Sequence, residues 1–287
     1  MNGFPYLVRR YGTRIWCYEN MAEIFLNPRS RNTGCVLAEP TPIERTFKDG
    51  DKFGWEEYEF TILHSPGHTN FEMALFTEID SNRIGFTGDA FFNYNQRGIE
   101  HNLIYRNDVT TRDYQRSIQN LESMQPHMLA PGHGEPFFLT ADILSSFKER
   151  IKRQTTLIET LVADPVPEYG MDPSWIQIHP YQALATAGQR CRLELRVRNY
   201  RSRAIDVQLA LCIPAGWTCD PREIHISVAP GSSARSTVNI VPSATTSPWM
   251  RKAIAADAKV DGQYLGQIAE AVVDDVMQPG SRNFRRQ

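Results

Sequence analysis

Three stretches of the chain end an apolar run in Gly or Pro-Gly and then present a residue able to bind a metal or move a proton. They are Leu63-His64-Ser65-Pro66-Gly67-His68-Thr69, Phe86-Thr87-Gly88-Asp89 and Ala130-Pro131-Gly132-His133-Gly134-Glu135-Pro136. Phe60, Ile62 and Leu63 lead into the first, Ile84 and Phe86 into the second, Met128 and Leu129 into the third. A strand sets the direction, glycine lets the backbone turn sharply, and the imidazole or carboxylate is left at the edge of a sheet. Convergence of the three ends would place His68, Asp89 and His133 together. Two imidazoles and one carboxylate are a donor set suited to Zn²⁺ or Fe. Taken singly, a His after Pro-Gly is usually a loop residue and Gly-Asp usually a turn; the inference rests on their joint occurrence.

In this order and at these strand ends, the motifs resemble those of the metallo-β-lactamase-fold hydrolase superfamily, whose metal-binding loops read like Ser-Pro-Gly-His-Thr, Thr-Gly-Asp and Pro-Gly-His-Gly. The resemblance implies an αβ/βα layered domain in which His68 ligates one metal, His133 a second, and Asp89 bridges the two. It implies two Zn²⁺ ions, with Fe or Mn as alternatives, and hydrolysis by a metal-bound hydroxide that attacks a carbonyl or phosphoryl centre. His64 and Thr69 are placed to orient His68 or its loop; a buried His64 with no role is an equal reading. Relatives handle small-molecule esters, thioesters, lactones and phosphodiesters.

The superfamily's His-x-His-x-Asp-His motif, which supplies the other ligands and a water-orienting Asp, does not occur in these 287 residues, whose first histidine is His64. Residues 2–12 look like the helix that normally follows it. The expectation is therefore a layered domain lacking its N-terminal part, weak or inactive as it stands. The runner-up reading is a non-catalytic scaffold derived from the fold, and a third is a binding module with only a chance likeness.

The elements needed to position the three loops are legible. Phe4, Leu7, Val8 and Tyr11 fall at helical spacing before Gly12, and Arg14–Tyr18 reads as a strand. Lys48-Asp49-Gly50-Asp51 is a turn; 57–62 alternates as a strand, and 72–77 and 83–87 are two more around Asp80-Ser81-Asn82. The aromatic-rich segment 90–108 reads as a substrate-facing lid or as simple packing, with His101 at its surface. A helix starts at Thr110-Thr111, carries Tyr114, Ile118, Leu121 and Met124 on one face, and stops at Pro126. His127 is structural. Thr140 caps a long helix, 141–162, with Ile143, Leu144, Phe147, Ile151, Leu157, Ile158 and Leu161 on its apolar side. Alternating strands and helices indicate an α/β layered domain over 1–163.

Residues 164–175, spaced by prolines, form a linker. Beyond it the period drops to two: Leu193, Leu195 and Val197 against Arg192, Glu194, Arg196 and Arg198, then Val207, Leu209, Leu211 and Ile213. Short alternating strands with turns between them indicate an immunoglobulin-like β-sandwich over 176–277, followed by a tail, 278–287. The run Val228-Ala229-Pro230-Gly231-Ser232 and the strand after it resemble the NEW3-type accessory sandwiches of some hydrolases. Trp217 and Trp249 read as isolated, so no aromatic row points to carbohydrate binding.

Composition narrows the setting. Formal net charge is −2, which gives no electrostatic drive toward nucleic acid or an anionic membrane. No apolar run reaches the roughly 20 residues of a spanning helix. Five cysteines without a Cys-x-x-Cys pair read as free thiols in a reducing, cytoplasmic setting.

Overall fold

The computed structural model describes residues 3–32, 39–93, 99–100, 109–110, 112–161, 166, 169, 172–245 and 249–276. Most of the aromatic lid with His101, together with Cys35, most of the linker and the tail, lies outside the described residues. The described residues fall into two units: one holds those of 3–26 and 41–172, the other those of 27–40 and 173–287.

In the first unit, α1 (Phe4–Tyr11) ends at Gly12, whose left-handed φ of 63° lets its N–H reach Val8 O at 3.0 Å. β1 (Trp16–Tyr18) is followed by a 3-10 turn, Glu19–Met21, and α2 (Ala22–Leu26). Without a sheet partner, a strand at 14–18 would expose an apolar edge. Instead β1 pairs in parallel with β2 (Arg45–Phe47), and Ile15, Cys17 and Tyr18 are buried. The pairing was missed because Arg45-Thr46-Phe47 is too short to show a period.

Next come β3 (Lys52–Trp55), β4 (Tyr58–His64), β5 (Met73–Ile79), β6 (Asn82–Gly88), β7 (Phe92–Asn93) and β8 (Ile99–Glu100). They are followed by α3 (Asp113–Met124), β9 (Met128–Pro131), β10 (Phe137–Phe138) and α4 (Ala141–Leu161). Ile143 N–H donates to Thr140 Oγ1 at 3.2 Å, the expected cap of α4; Leu157, expected on its apolar side, is exposed.

The main sheet runs β10-β9-β6-β5-β4-β3, and β7 pairs separately with β8. β4 and β6 are each antiparallel to β5, and β9 is parallel to β6 with Gly88 opposite Pro131. The C-terminal ends of β4, β6 and β9 therefore lie at one edge of the sheet, where β5 begins. That topology brings the three loops together. One face of the sheet carries Ala74, Phe76 and Leu129 against Phe91 of the loop after β6 and against Tyr114, Ile118, Leu121, Phe147 and Ile151 of α3 and α4. Ile62 packs with Tyr18 and Phe47 in a second cluster. Each such large apolar side chain contributes about 1.5–3 kcal/mol by leaving water, so the sheet is held rigidly enough to aim its loops.

The second unit is all β: β11 (Ile176–His179), β12 (Gln182–Ala185), β13 (Cys191–Arg198), β14 (Ile205–Cys212), β15 (Thr218–Asp220), β16 (Glu223–Val228), β17 (Ser233–Val241), β18 (Lys252–Val260) and β19 (Gln263–Asp275). They form sheets β11-β13-β17-β15 and β12-β19-β18-β14-β16. The residues that alternate in sequence alternate in burial: Leu193, Leu195, Val197, Val207, Leu209 and Leu211 are in the core. Residues 29 and 30 join this unit, their carbonyls accepting Gln182 N–H and Tyr181 N–H. Trp217 and Trp249 are not isolated. Both are buried and meet edge to face with ring centroids 5.3 Å apart, a core contact between residues 32 positions apart in the chain. Cys17, Cys191, Cys212 and Cys219 are free thiols.

Candidate metal centre

His68, Asp89 and His133, which leave the sheet on three separate loops, come together at its edge. Asp89 turns a different oxygen to each imidazole: Oδ1 lies 2.7 Å from His133 Nδ1, a hydrogen bond, and Oδ2 lies 3.8 Å from His68 Nε2. The side chains of His68 and Asp89 are 21% and 22% exposed and that of His133 is 73% exposed. The carboxylate is thus sheltered while one imidazole faces solvent. Among the described residues no three His, Cys, Asp or Glu form a ready-made metal cluster; the trio meets instead through the one carboxylate.

The donor set suits a borderline cation such as Zn²⁺. A nitrogen and an oxygen bound to one tetrahedral zinc at about 2.0–2.1 Å each stand roughly 3.3 Å apart. The two observed separations bracket that figure, so small side-chain adjustments suffice on either side of Asp89. Close backbone approach makes the room. A Cβ at Gly132 would sit 2.6 Å from Asp89 Oδ1, so only glycine leaves the carboxylate where it is. Gly132 N–H donates to Gly88 O at 2.7 Å, which ties the second loop to the third. That amide is thereby engaged in holding the site together.

The loop bearing His68 is clamped by α3. Ser117 Oγ–H donates to Pro66 O at 2.6 Å, Asn120 Nδ2–H donates to His64 O at 2.7 Å, and the Tyr114 ring packs on Gly67. Positions 114, 117 and 120 share one helix face by the three-residue spacing. A Cβ at Gly67 would meet Tyr114 Cε1 at 2.4 Å, so this glycine too is required by proximity.

His64 and Thr69 act within the same loop. The His64 ring stacks on Tyr18 with centroids 4.8 Å apart, and its Nε2–H donates to Asn70 O at 2.7 Å. Burial pushes its pKa down, opposed by that bond. Thr69 Oγ1 accepts Phe71 N–H at 3.1 Å, and Thr69 O accepts Gly67 N–H at 3.1 Å. Both residues therefore shape the turn that carries His68. His127, read as structural, accepts Arg83 N–H at its Nδ1.

Glu72 escaped the sequence reading. Its Oε1 accepts Asp89 N–H at 3.3 Å and its Oε2 accepts Thr69 N–H at 3.3 Å; the His68 amide also donates to the carboxylate. Burial pushes this carboxyl up to about 7, against the pull of the three amides. In sequence it is one polar residue at the head of an apolar strand, and only its place four residues after His68 hints at the loop.

The family model described as "Metallo-beta-lactamase superfamily" matches residues 2–133, and that of "NPCBM-associated, NEW3 domain of alpha-galactosidase" matches residues 185–259. Among solved structures, the chain is similar to a metallo-beta-lactamase HARLDQ-motif mutant from Cronobacter sakazakii (17% identity, TM-score 0.43, covering 55% of this chain and 71% of that one). It is also similar to GOB-18 from Elizabethkingia meningoseptica (14%, 0.40, 54% and 65%). A third is LRA-12, a class B3 di-zinc enzyme from an Alaskan soil metagenome (13%, 0.39, 53% and 66%). Among the described residues no helix is long and apolar enough to cross a membrane. The chain thus carries an α/β domain of the metallo-β-lactamase superfamily of metal-dependent hydrolases, followed by a β-rich NEW3 domain.

Proposed function

We propose that the first unit is a metal-dependent hydrolase in which His68, Asp89 and His133 hold the metal, with Zn²⁺ preferred over Fe or Mn. The observation that supports this reading is the division of Asp89: one oxygen to His133 Nδ1 at 2.7 Å, the other facing His68 Nε2 at 3.8 Å. When bound, the metal supplies an acidified water and a Lewis acid for a carbonyl or phosphoryl oxygen. The chain's own residues do the placing. Asp89 spans the two imidazoles, and Gly132 and Gly88 keep its loop against that of His133. His133 faces solvent, where a small ester, thioester, lactone or phosphodiester would approach.

With Asp89 counted for both, the trio offers each of two metals one imidazole and one carboxylate oxygen, two protein donors against three for a usual catalytic zinc. Metal binding by these donors alone is therefore weak and turnover slow. The test is hydrolysis of an aryl ester, a thioester, a lactone and an aryl phosphodiester with Zn²⁺ in excess, for the native chain and Asp89→Ala. The expected result is slow, Zn²⁺-dependent hydrolysis of at least one substrate, lost in Asp89→Ala. Absent hydrolysis across the panel would overturn the proposal in favour of a non-catalytic scaffold with the second unit as an interaction module, and hydrolysis indifferent to Zn²⁺ would overturn the role of the metal.

A further inference from the structure

We infer that Glu72 is a positioning residue for the metal centre: its carboxylate joins the His68 loop to the Asp89 turn and sets the separation between those two side chains. The inference rests on the proposed function for its meaning and on geometry for its support. One oxygen accepts the Asp89 amide and the other the Thr69 amide, each at 3.3 Å, with the His68 amide also directed at the carboxylate. These loops leave different strands, β4 and β6, and Glu72 stands just ahead of β5, the strand between them. Its backbone is tied to the same place, since Ser65 N–H donates to Glu72 O at 3.0 Å.

The chemistry requires both oxygens to be acceptors. Glutamine has the same shape but only one acceptor, so Glu72→Gln keeps one loop and turns an NH₂ donor against an amide N–H of the other. Alanine releases both. Supporting groups of this kind typically change metal affinity by about 10–100-fold.

The experiment has two arms on the full chain. Amide hydrogen exchange, run without metal, reads the clasp itself: residues 68, 69 and 89 lose protection in Glu72→Ala, whereas in Glu72→Gln one loop loses it and the core strands stay protected. Zn²⁺ titration, with the visible spectrum of bound Co²⁺, reads the consequence: affinity falls about 10–100-fold in Glu72→Gln and the Co²⁺ bands shift, while thermal unfolding of that variant stays cooperative. Unchanged exchange at 68, 69 and 89 in both variants overturns the clasp. Altered exchange with unchanged Zn²⁺ affinity and Co²⁺ spectrum overturns its role at the metal centre. A native chain that binds neither ion contradicts the proposed function and the positioning role together, and the exchange arm still decides the clasp.

Discussion

At the scale of single residues, the site depends on how a few polar groups are kept from water without losing their partners. His64 illustrates this away from the proposed ligands. Its ring is stacked on Tyr18 and bonded to Asn70 O, and burial disfavours its charged form. The unfolded chain holds a proton on it below about pH 6.5, whereas the folded chain takes that proton only at lower pH. Its contribution to stability is therefore fully present above about pH 6.5 and is lost as pH falls through the folded pKa. Replacement by Gln, which keeps a donor for Asn70 O, should flatten that pH dependence. Urea unfolding of both proteins between pH 7.5 and 5 checks this; parallel pH profiles would show that His64 titrates alike folded and unfolded.

At the scale of elements, α3 is as much part of the site as the loops, because Tyr114, Ser117 and Asn120 hold the Pro-Gly-His turn from one face. Gly67→Ala pushes a methyl group into the Tyr114 ring, an overpacking that should cost about 1–3 kcal/mol. Because the two residues share one contact, Gly67→Ala/Tyr114→Ala should be less destabilised than the sum of its single changes. Additivity to within about 0.5 kcal/mol in chemical unfolding would mean that the ring does not set the turn.

The helix was legible as an apolar spacing, but that reading concerned its core side: Ile118 and Leu121 signal burial, while Ser117 and Asn120 look like any polar residues of an amphipathic helix. Glu72 and Gly132 were obscure for the same reason. Their partners lie on other loops, and no local pattern records a contact that only the sheet creates. The two-period strands of the second unit were plain because alternation is local, and β1 lies within the strand read at 14–18, whereas β2, three residues long, is too short to show a period.

At the scale of the whole molecule, the order of strands decides what the motifs can do. Three separate sequence signals become one site because β4, β6 and β9 point the same way, with Gly88 in register with Pro131. The signals were readable one by one, but their convergence was only an expectation until the register was known. The second unit was readable as a sandwich from alternation, while the joining of residues 29 and 30 to it was not, since those contacts are backbone hydrogen bonds that any residues can make. The most direct measurement of the central claim is equilibrium dialysis of the full chain against Zn²⁺, with Asp89→Ala in parallel. The native chain should bind Zn²⁺ weakly and saturably and Asp89→Ala should not; two tightly held ions per chain, or binding indifferent to Asp89, would rule this centre out.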